Sequence, residues 1–226
     1  MKIIDCEQNT PAWVEARLGI PTASRFDKII TPKKLELSKS ADMLICELIA
    51  ERRLGQFGDR KQTDWMNRGS NLEDIAADDY AFTHDVDLQR VGFITTDDGL
   101  IGCSPDRLIV GQRAGLEIKN PSAAKHMSYI LAELGILDLP TLLDEHRCQV
   151  LGSLWITGFE YWDLMSYHPY LPRVIVRCEP DAAFNAAMNE AMYGENGFLE
   201  RYRKACEGIT TVVEARDLKE RLAASA

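Results

Sequence analysis

Cys103-Ser104-Pro105-Asp106-Arg107-Leu108, a polar turn at Gly111-Gln112-Arg113-Ala114-Gly115, then Leu116-Glu117-Ile118-Lys119-Asn120-Pro121: this stretch decides the fold and holds the candidate chemistry. Leu108, Ile109 and Val110 are apolar and partly β-branched, as strands prefer. The stretch reads as two short strands joined by the turn. Side chains alternate along a strand, so Glu117 and Lys119 share one face and Ile118 takes the other. If the two strands pair, Asp106 lies beside Glu117. Two carboxylates with an ammonium two residues on form a charged, one-sided cluster. Carboxylate oxygens are the hard ligands that Mg²⁺ prefers, and the carbonyl of Ile118 offers another. Lys119 beside them can orient or deprotonate a water. A bare Glu-x-Lys is most simply a solvated sheet face. The Pro-Asp a hairpin's length upstream sets this one apart.

Pro105-Asp106 with Glu117-Ile118-Lys119 resembles the signature of the PD-(D/E)xK nuclease superfamily. The surrounding residues narrow the resemblance to the phage lambda exonuclease-like, YqaJ-like viral recombinases. The run Gln8-Asn9-Thr10-Pro11-Ala12-Trp13, continued by Arg17-Leu18-Gly19-Ile20-Pro21-Thr22-Ala23-Ser24, resembles that family's opening motif. Arg68-Gly69-Ser70-Asn71-Leu72-Glu73 resembles its Gly-x-x-x-Glu helix, and Gln149-Val150-Leu151-Gly152-Ser153-Leu154-Trp155 the helix after its lysine. The resemblance spans about Gln8 to Tyr167.

The resemblance implies a Mg²⁺-dependent 5′→3′ exonuclease on double-stranded DNA, with Mn²⁺ as substitute metal. Such an enzyme works processively from DNA ends and leaves 3′ single-stranded overhangs for phage-type homologous recombination. By the same resemblance Asp106, Glu117 and the carbonyl of Ile118 bind metal, and Glu73 assists directly or through water. Lys119 serves the attacking water, and Gln149 contacts the DNA or that water. Arg17, Ser24 and Ser104 correspond to a pocket for the terminal 5′-phosphate. A guanidinium near a helix start is a sound phosphate site, since both supply donors to an anion. A homotrimeric ring and a single-strand annealing partner are also implied, as is a phage or prophage origin in a bacterial host. Arg107 departs from the pattern, which commonly has Gly after the Asp. It is not expected to remove activity.

A net charge of −9 counts against a nucleic-acid binder, but binding follows the local field rather than the sum. Basic residues gather before the motif: Arg17, Arg25, Lys28, Lys33, Lys34, Arg52, Arg53, Arg60, Lys61 and Arg68. Six scattered cysteines without a Cys-x-x-Cys pair argue against zinc or a disulfide framework. No apolar run is long enough to span a bilayer and the amino terminus lacks a signal-peptide core, so a cytoplasmic protein without membrane contact is expected. None of His84, His126, His146 and His168 belongs to a ligand pair. A helix-end or turn role suits His84.

Along the chain, Thr10-Pro11 starts a helix that stops at Gly19, and Thr22 or Ser24 caps a short one with Phe26, Ile29 and Ile30. Further helices are expected from Met43 to Leu54, and from about Thr63 to Phe82 with Trp65, Gly69, Leu72, Ile75, Ala76 and Tyr80 inward. Strands from Gln89 to Thr95 and from Leu100 to Ser104 lead into the motif strands as one antiparallel meander. Helices from Ala124 to Ile136 and Asp144 to Trp155 follow, then strands from Glu160 to Tyr167 and Arg173 to Cys178. A helix from Asp181 to about Ala205, broken near Gly194 and Gly197, closes the core, and residues 209–226 form a tail. The fold class is α/β: a central mixed sheet with an antiparallel meander, flanked by helices, which the resemblance implies is a restriction-endonuclease-like nuclease core. One nuclease domain covers residues 1–226, its motif-bearing core at 8–167. Two rivals stand: a PD-(D/E)xK endonuclease without the phosphate pocket, and a catalytically decayed DNA-binding recombination scaffold. The intact Asp106, Glu117 and Lys119 argue against decay.

Overall fold

The computed structural model describes residues 1–57 and 64–210, with the side chains of 64–71 left out. In it the motif stretch lies at the middle of a mixed five-stranded sheet. In chain order the strands are β1 Lys2–Ile4, β2 Leu88–Gln89, β3 Phe93–Thr95, β4 Gly102–Cys103, β5 Arg107–Ile109, β6 Ala114–Lys119, β7 Tyr161–Ser166 and β8 Val174–Cys178. The larger sheet has the order β2-β5-β6-β7-β8. Its β6–β7 pair is parallel and its other pairs are antiparallel. The parallel pair requires a crossover, which α4 Ala123–Glu133 and α5 Leu142–Thr157 provide.

The expected single meander divides into two sheets. The segment from Gln89 to Thr95 breaks at Val91-Gly92: β2 pairs with β5, whereas β3 pairs with β4 and with the unanticipated β1. Pro105 has no N–H to donate and interrupts the ladder between β4 and β5. Ser104, expected to end a strand, and Asp106 therefore sit in a non-strand link.

The two sheet faces bury different partners. Leu116, Ile118 and Met165 pack with Ala76, Ala77 and Tyr80 of α3 Asp64–His84. On the other face Trp162 and Leu164 join Val150, Leu151 and Leu154 of α5 in the main core. Close approach on this face needs two glycines. A Cβ at Gly115 would lie 2.5 Å from the Trp162 ring, and one at Gly152 would lie 2.4 Å from Phe26. Ile75 is exposed, so the inner stripe of α3 is narrower than expected. The inward placement expected of Trp65 and Gly69 falls among the side chains not described, and the start near Thr63 and the tail beyond 210 lie outside the described residues.

Local signals account for the helix ends. Thr10 caps α1 Pro11–Arg17 through Trp13 N–H, with Pro11 in the first turn. Thr141 and Asp144 form a reciprocal capping box, starting α5 two residues before the expected Asp144. The Ala23–Lys28 segment is a 3₁₀ helix whose N-cap, Thr22, makes no side-chain cap bond. A further helix covers 198–210, after the break at Gly194 and Gly197. Among the described residues no helix is long and apolar enough to cross a membrane. The cysteines are all free thiols.

Candidate active site

The hairpin register pairs Arg107 with Leu116, which puts Asp106 opposite Glu117 one step beyond the ladder. Asp106 Oδ2 accepts the backbone N–H of Ile118 at 2.6 Å. Alternation then turns Glu117 and Lys119 toward α5. Lys119 Nζ donates to Glu117 Oε1 at 2.7 Å and to Gln149 Oε1 at 2.9 Å. Gln149 Nε2 donates to the same Glu117 oxygen at 2.5 Å. Asp106, Glu117, Lys119 and Gln149 thus meet at one end of β6, the first three as their spacing suggested and Gln149 as the resemblance implied.

Glu73 reaches this cluster from α3, but its closest partner is Arg107. The Arg107 side chain is 7% exposed; Nη1 donates to Glu73 Oε1 at 2.8 Å and Nη2 to Asp74 Oδ1 at 2.5 Å. Nη1 also reaches the carbonyl of Asp106 at 2.5 Å. Arg107 is thus a member of the cluster that sequence reasoning passed over. The departure from Gly at the position after Asp106 was the signal available.

The electrostatics follow from crowding. Burial pushes the Asp106 carboxyl well above the usual carboxylate range, and the negative charges of Glu117 and Glu73 push it further. The Lys119 ammonium and the Ile118 N–H oppose that rise only in part. Burial pulls Lys119 down, yet Glu117, Asp106 and Glu73 outweigh it and hold the ammonium above its ordinary value. His146 stands one turn before Gln149 on α5. Burial, and then the Lys119 ammonium, push its imidazole down to about 4, so it is neutral near pH 7.

Among the described residues no three His, Cys, Asp or Glu side chains converge as a ready-made metal cage. The donor set nevertheless fits a hard divalent cation: carboxylate oxygens, a backbone carbonyl and no thiolate. The raised Asp106 carboxyl reflects burial first and then the charges of Glu117 and Glu73, which a cation there would offset.

Beside the cluster, Trp13 brings Arg17 and Ser104 together. The Arg17 guanidinium lies 4.1 Å from the centroid of the Trp13 ring. The indole N–H of Trp13 donates to Ser104 Oγ at 3.1 Å and to the Gly92 carbonyl at 3.0 Å. Ser24 is exposed, its hydroxyl 3.2 Å from Thr22 Oγ1. It is tied to the same region through the backbone, since the Gly102 N–H donates to the Pro21 carbonyl. The bridging role of Trp13 was not legible in the motif alone.

The basic stretch before the motif is partly neutralised. Arg25 pairs with Glu47 and Glu51, and Lys28 with Glu47, all on α2 Ala41–Leu54 or facing it. Arg60, Lys61 and Arg68 lie outside the described side chains. His84 ends α3, stacked on Tyr80 with centroids 4.1 Å apart, in the helix-end role expected of it.

Residues 12–160 match the family model of the YqaJ-like viral recombinase domain. The crystal structure of LHK-Exo in complex with dAMP is 27% identical with a TM-score of 0.72, covering 92% of this chain and 100% of that one. The alkaline exonuclease LHK-Exo from Laribacter hongkongensis, in a second crystal structure, is 26% identical with a TM-score of 0.70, over 93% and 99% of the two chains. A phage-related exonuclease from Haemophilus somnus, 13% identical with a TM-score of 0.62 over 86% and 96%, shares the fold. No curated protein sequence matches the chain.

Proposed function

The chain belongs to the YqaJ-like viral recombinase family and is a nuclease, and on that premise we propose that it is a divalent-metal-dependent 5′→3′ exonuclease acting on double-stranded DNA ends. The observation that carries this reading is one neighbourhood with two parts. Asp106, Glu117, Lys119 and Gln149 form one hydrogen-bonded end of β6 and α5. Arg17 and Ser104 gather on Trp13 beside it, Ser104 two residues from Asp106.

Asp106, Glu117 and the Ile118 carbonyl would hold Mg²⁺ or Mn²⁺, with Glu73 assisting directly or through water. When bound, such a cation polarises a phosphate and lowers the pKa of water. Lys119 keeps its proton under the pull of three carboxylates. It therefore serves best as a positive donor that orients the attacking water and offsets charge developing on the phosphate. Gln149 fixes the Lys119 and Glu117 side chains relative to each other. Arg17, Ser104 and Ser24 receive the terminal 5′-phosphate. That would set the strand one step from the cut and favour 5′ entry and processive advance.

A homotrimeric ring enclosing the duplex suits a chain of net charge −9, because it gathers the basic residues on an inner face and leaves the acidic surface outside. A single-strand annealing protein would take the 3′ overhang. The test uses linear and covalently closed circular duplex, each with Mg²⁺ or with EDTA. Acid-soluble nucleotide should come from the linear form with Mg²⁺ alone. Digestion of closed circles would move the assignment to an endonuclease, and full activity in EDTA would remove the metal mechanism.

A further inference from the structure

The carboxylate cluster contains a cation that the reaction, as proposed, does not use. Arg107 extends from β5, buried, with its fork spread over Glu73, Asp74 and the Asp106 carbonyl. A guanidinium stays charged at any ordinary pH, and a buried one requires carboxylates in fixed geometry. Its two carboxylate partners come from consecutive residues of α3, so the fork holds Glu73 toward itself.

We propose that Arg107 is a built-in counter-ion that limits this site to one divalent cation, holding Glu73 as a positioning group and not as a direct metal ligand. This deepens the metal reading of Asp106 and Glu117 and rests on it. The contacts support the assignment. Arg107 Nη1 holds Glu73 Oε1 at 2.8 Å and Nη2 holds Asp74 Oδ1 at 2.5 Å, so an ion on either atom meets the guanidinium. Arg90 also pairs with Asp74 but is 61% exposed, so solvent screens it. A second ion on Glu73 would have to displace the guanidinium or sit against it. With a neutral side chain at 107, Glu73 becomes an available oxygen donor beside the first ion, an arrangement suited to a metal pair.

The readout is metal stoichiometry on the full chain without DNA, by isothermal titration calorimetry and electron paramagnetic resonance with Mn²⁺ alone as the probe. Wild type should bind one Mn²⁺ per chain. Arg107→Gln should bind two, with the spectral broadening of a coupled pair, and Arg107→Lys, which keeps a charge, should remain at one. Two ions on wild type, or one on a folded Arg107→Gln, overturns the proposal, because a purely structural staple would leave the count unchanged. Should Arg107→Gln fail to fold, Glu73→Gln decides: Mn²⁺ affinity within about threefold of wild type supports the assignment, and loss of binding refutes it. Unchanged Mn²⁺ binding by Asp106→Asn would instead sink the underlying metal reading, and this proposal with it.

Discussion

Lys119→Met removes the ammonium while keeping the apolar stem and nearly the length of the side chain. In the folded chain Lys119 Nζ stands 2.7 Å from Glu117 Oε1 and 2.9 Å from Gln149 Oε1. The Glu117 side chain is only 5% exposed, so it loses a charged partner that water replaces poorly. The Gln149 amide remains as a donor to the same oxygen, which limits the stability loss to about 1–3 kcal/mol, the cost of leaving a buried group short of one bond. The effect on chemistry should be larger. An oriented donor aimed at developing charge is worth about 10²–10³-fold in turnover. Single-turnover release of nucleotide at saturating Mg²⁺, with thermal melting in parallel, separates the two. Lys119→Met should remain folded at the assay temperature and cut about 10²-fold slower or worse. A rate within about threefold of wild type, or a loss that merely tracks the unfolded fraction, would refute the role given to Lys119.

Three other perturbations probe separate parts of the account. Wild type should digest 5′-phosphorylated duplex ends much faster than 5′-hydroxyl ends, since each charge-assisted bond to the phosphate contributes about 1.5–3 kcal/mol. Arg17→Ala should shrink that ratio without changing Mn²⁺ affinity, and equal wild-type rates on the two ends would remove the phosphate pocket. The raised Asp106 carboxyl means that the metal-free folded chain holds this proton more tightly than the unfolded chain. Its contribution to stability is therefore full below the unfolded carboxyl pKa of about 3.9 and is lost as pH rises through the raised folded value. Urea melts in EDTA across that range should show a steeper decline for wild type than for Asp106→Asn, and superimposable profiles would contradict the crowding argument. Gly115→Ala puts a methyl 2.5 Å from the Trp162 ring. It should cost about 1–3 kcal/mol by overpacking, read as a lowered melting temperature; an unchanged one would mean the β6–β7 contact is looser than described.

The motif hairpin was legible because its signals are local. Alternation sorts Glu117 and Lys119 from Ile118, and a turn of the right length puts Asp106 opposite Glu117. Thr10-Pro11 and Gly19 likewise mark the ends of α1 on their own. The division into two sheets was not legible, because β1 finds β3 about ninety residues away and no local pattern records that pairing. Ile75 misled because an apolar residue at helical spacing reads as core, while the neighbouring positions Ala76 and Tyr80 supply the buried stripe. Arg107 looked like a tolerated departure. Only the approach of α3, which carries Glu73 and Asp74 to it, reveals it as part of the cluster. Trp13 is of the same kind: its indole links Arg17 and Ser104, far apart in the chain, through a contact that neither residue's neighbours announce.

The most direct test of the central claim compares wild type with Asp106→Asn on linear, 5′-phosphorylated duplex in Mg²⁺, following mononucleotide release from each labelled strand. The substituted amide is nearly isosteric with the carboxylate and can still accept the Ile118 N–H, so the hairpin should persist and circular dichroism should match wild type. The account predicts mononucleotides released from the 5′ ends by wild type and none by Asp106→Asn. Release by folded Asp106→Asn at a rate comparable to wild type would contradict the assignment of the cutting site to the Asp106–Glu117–Lys119 cluster.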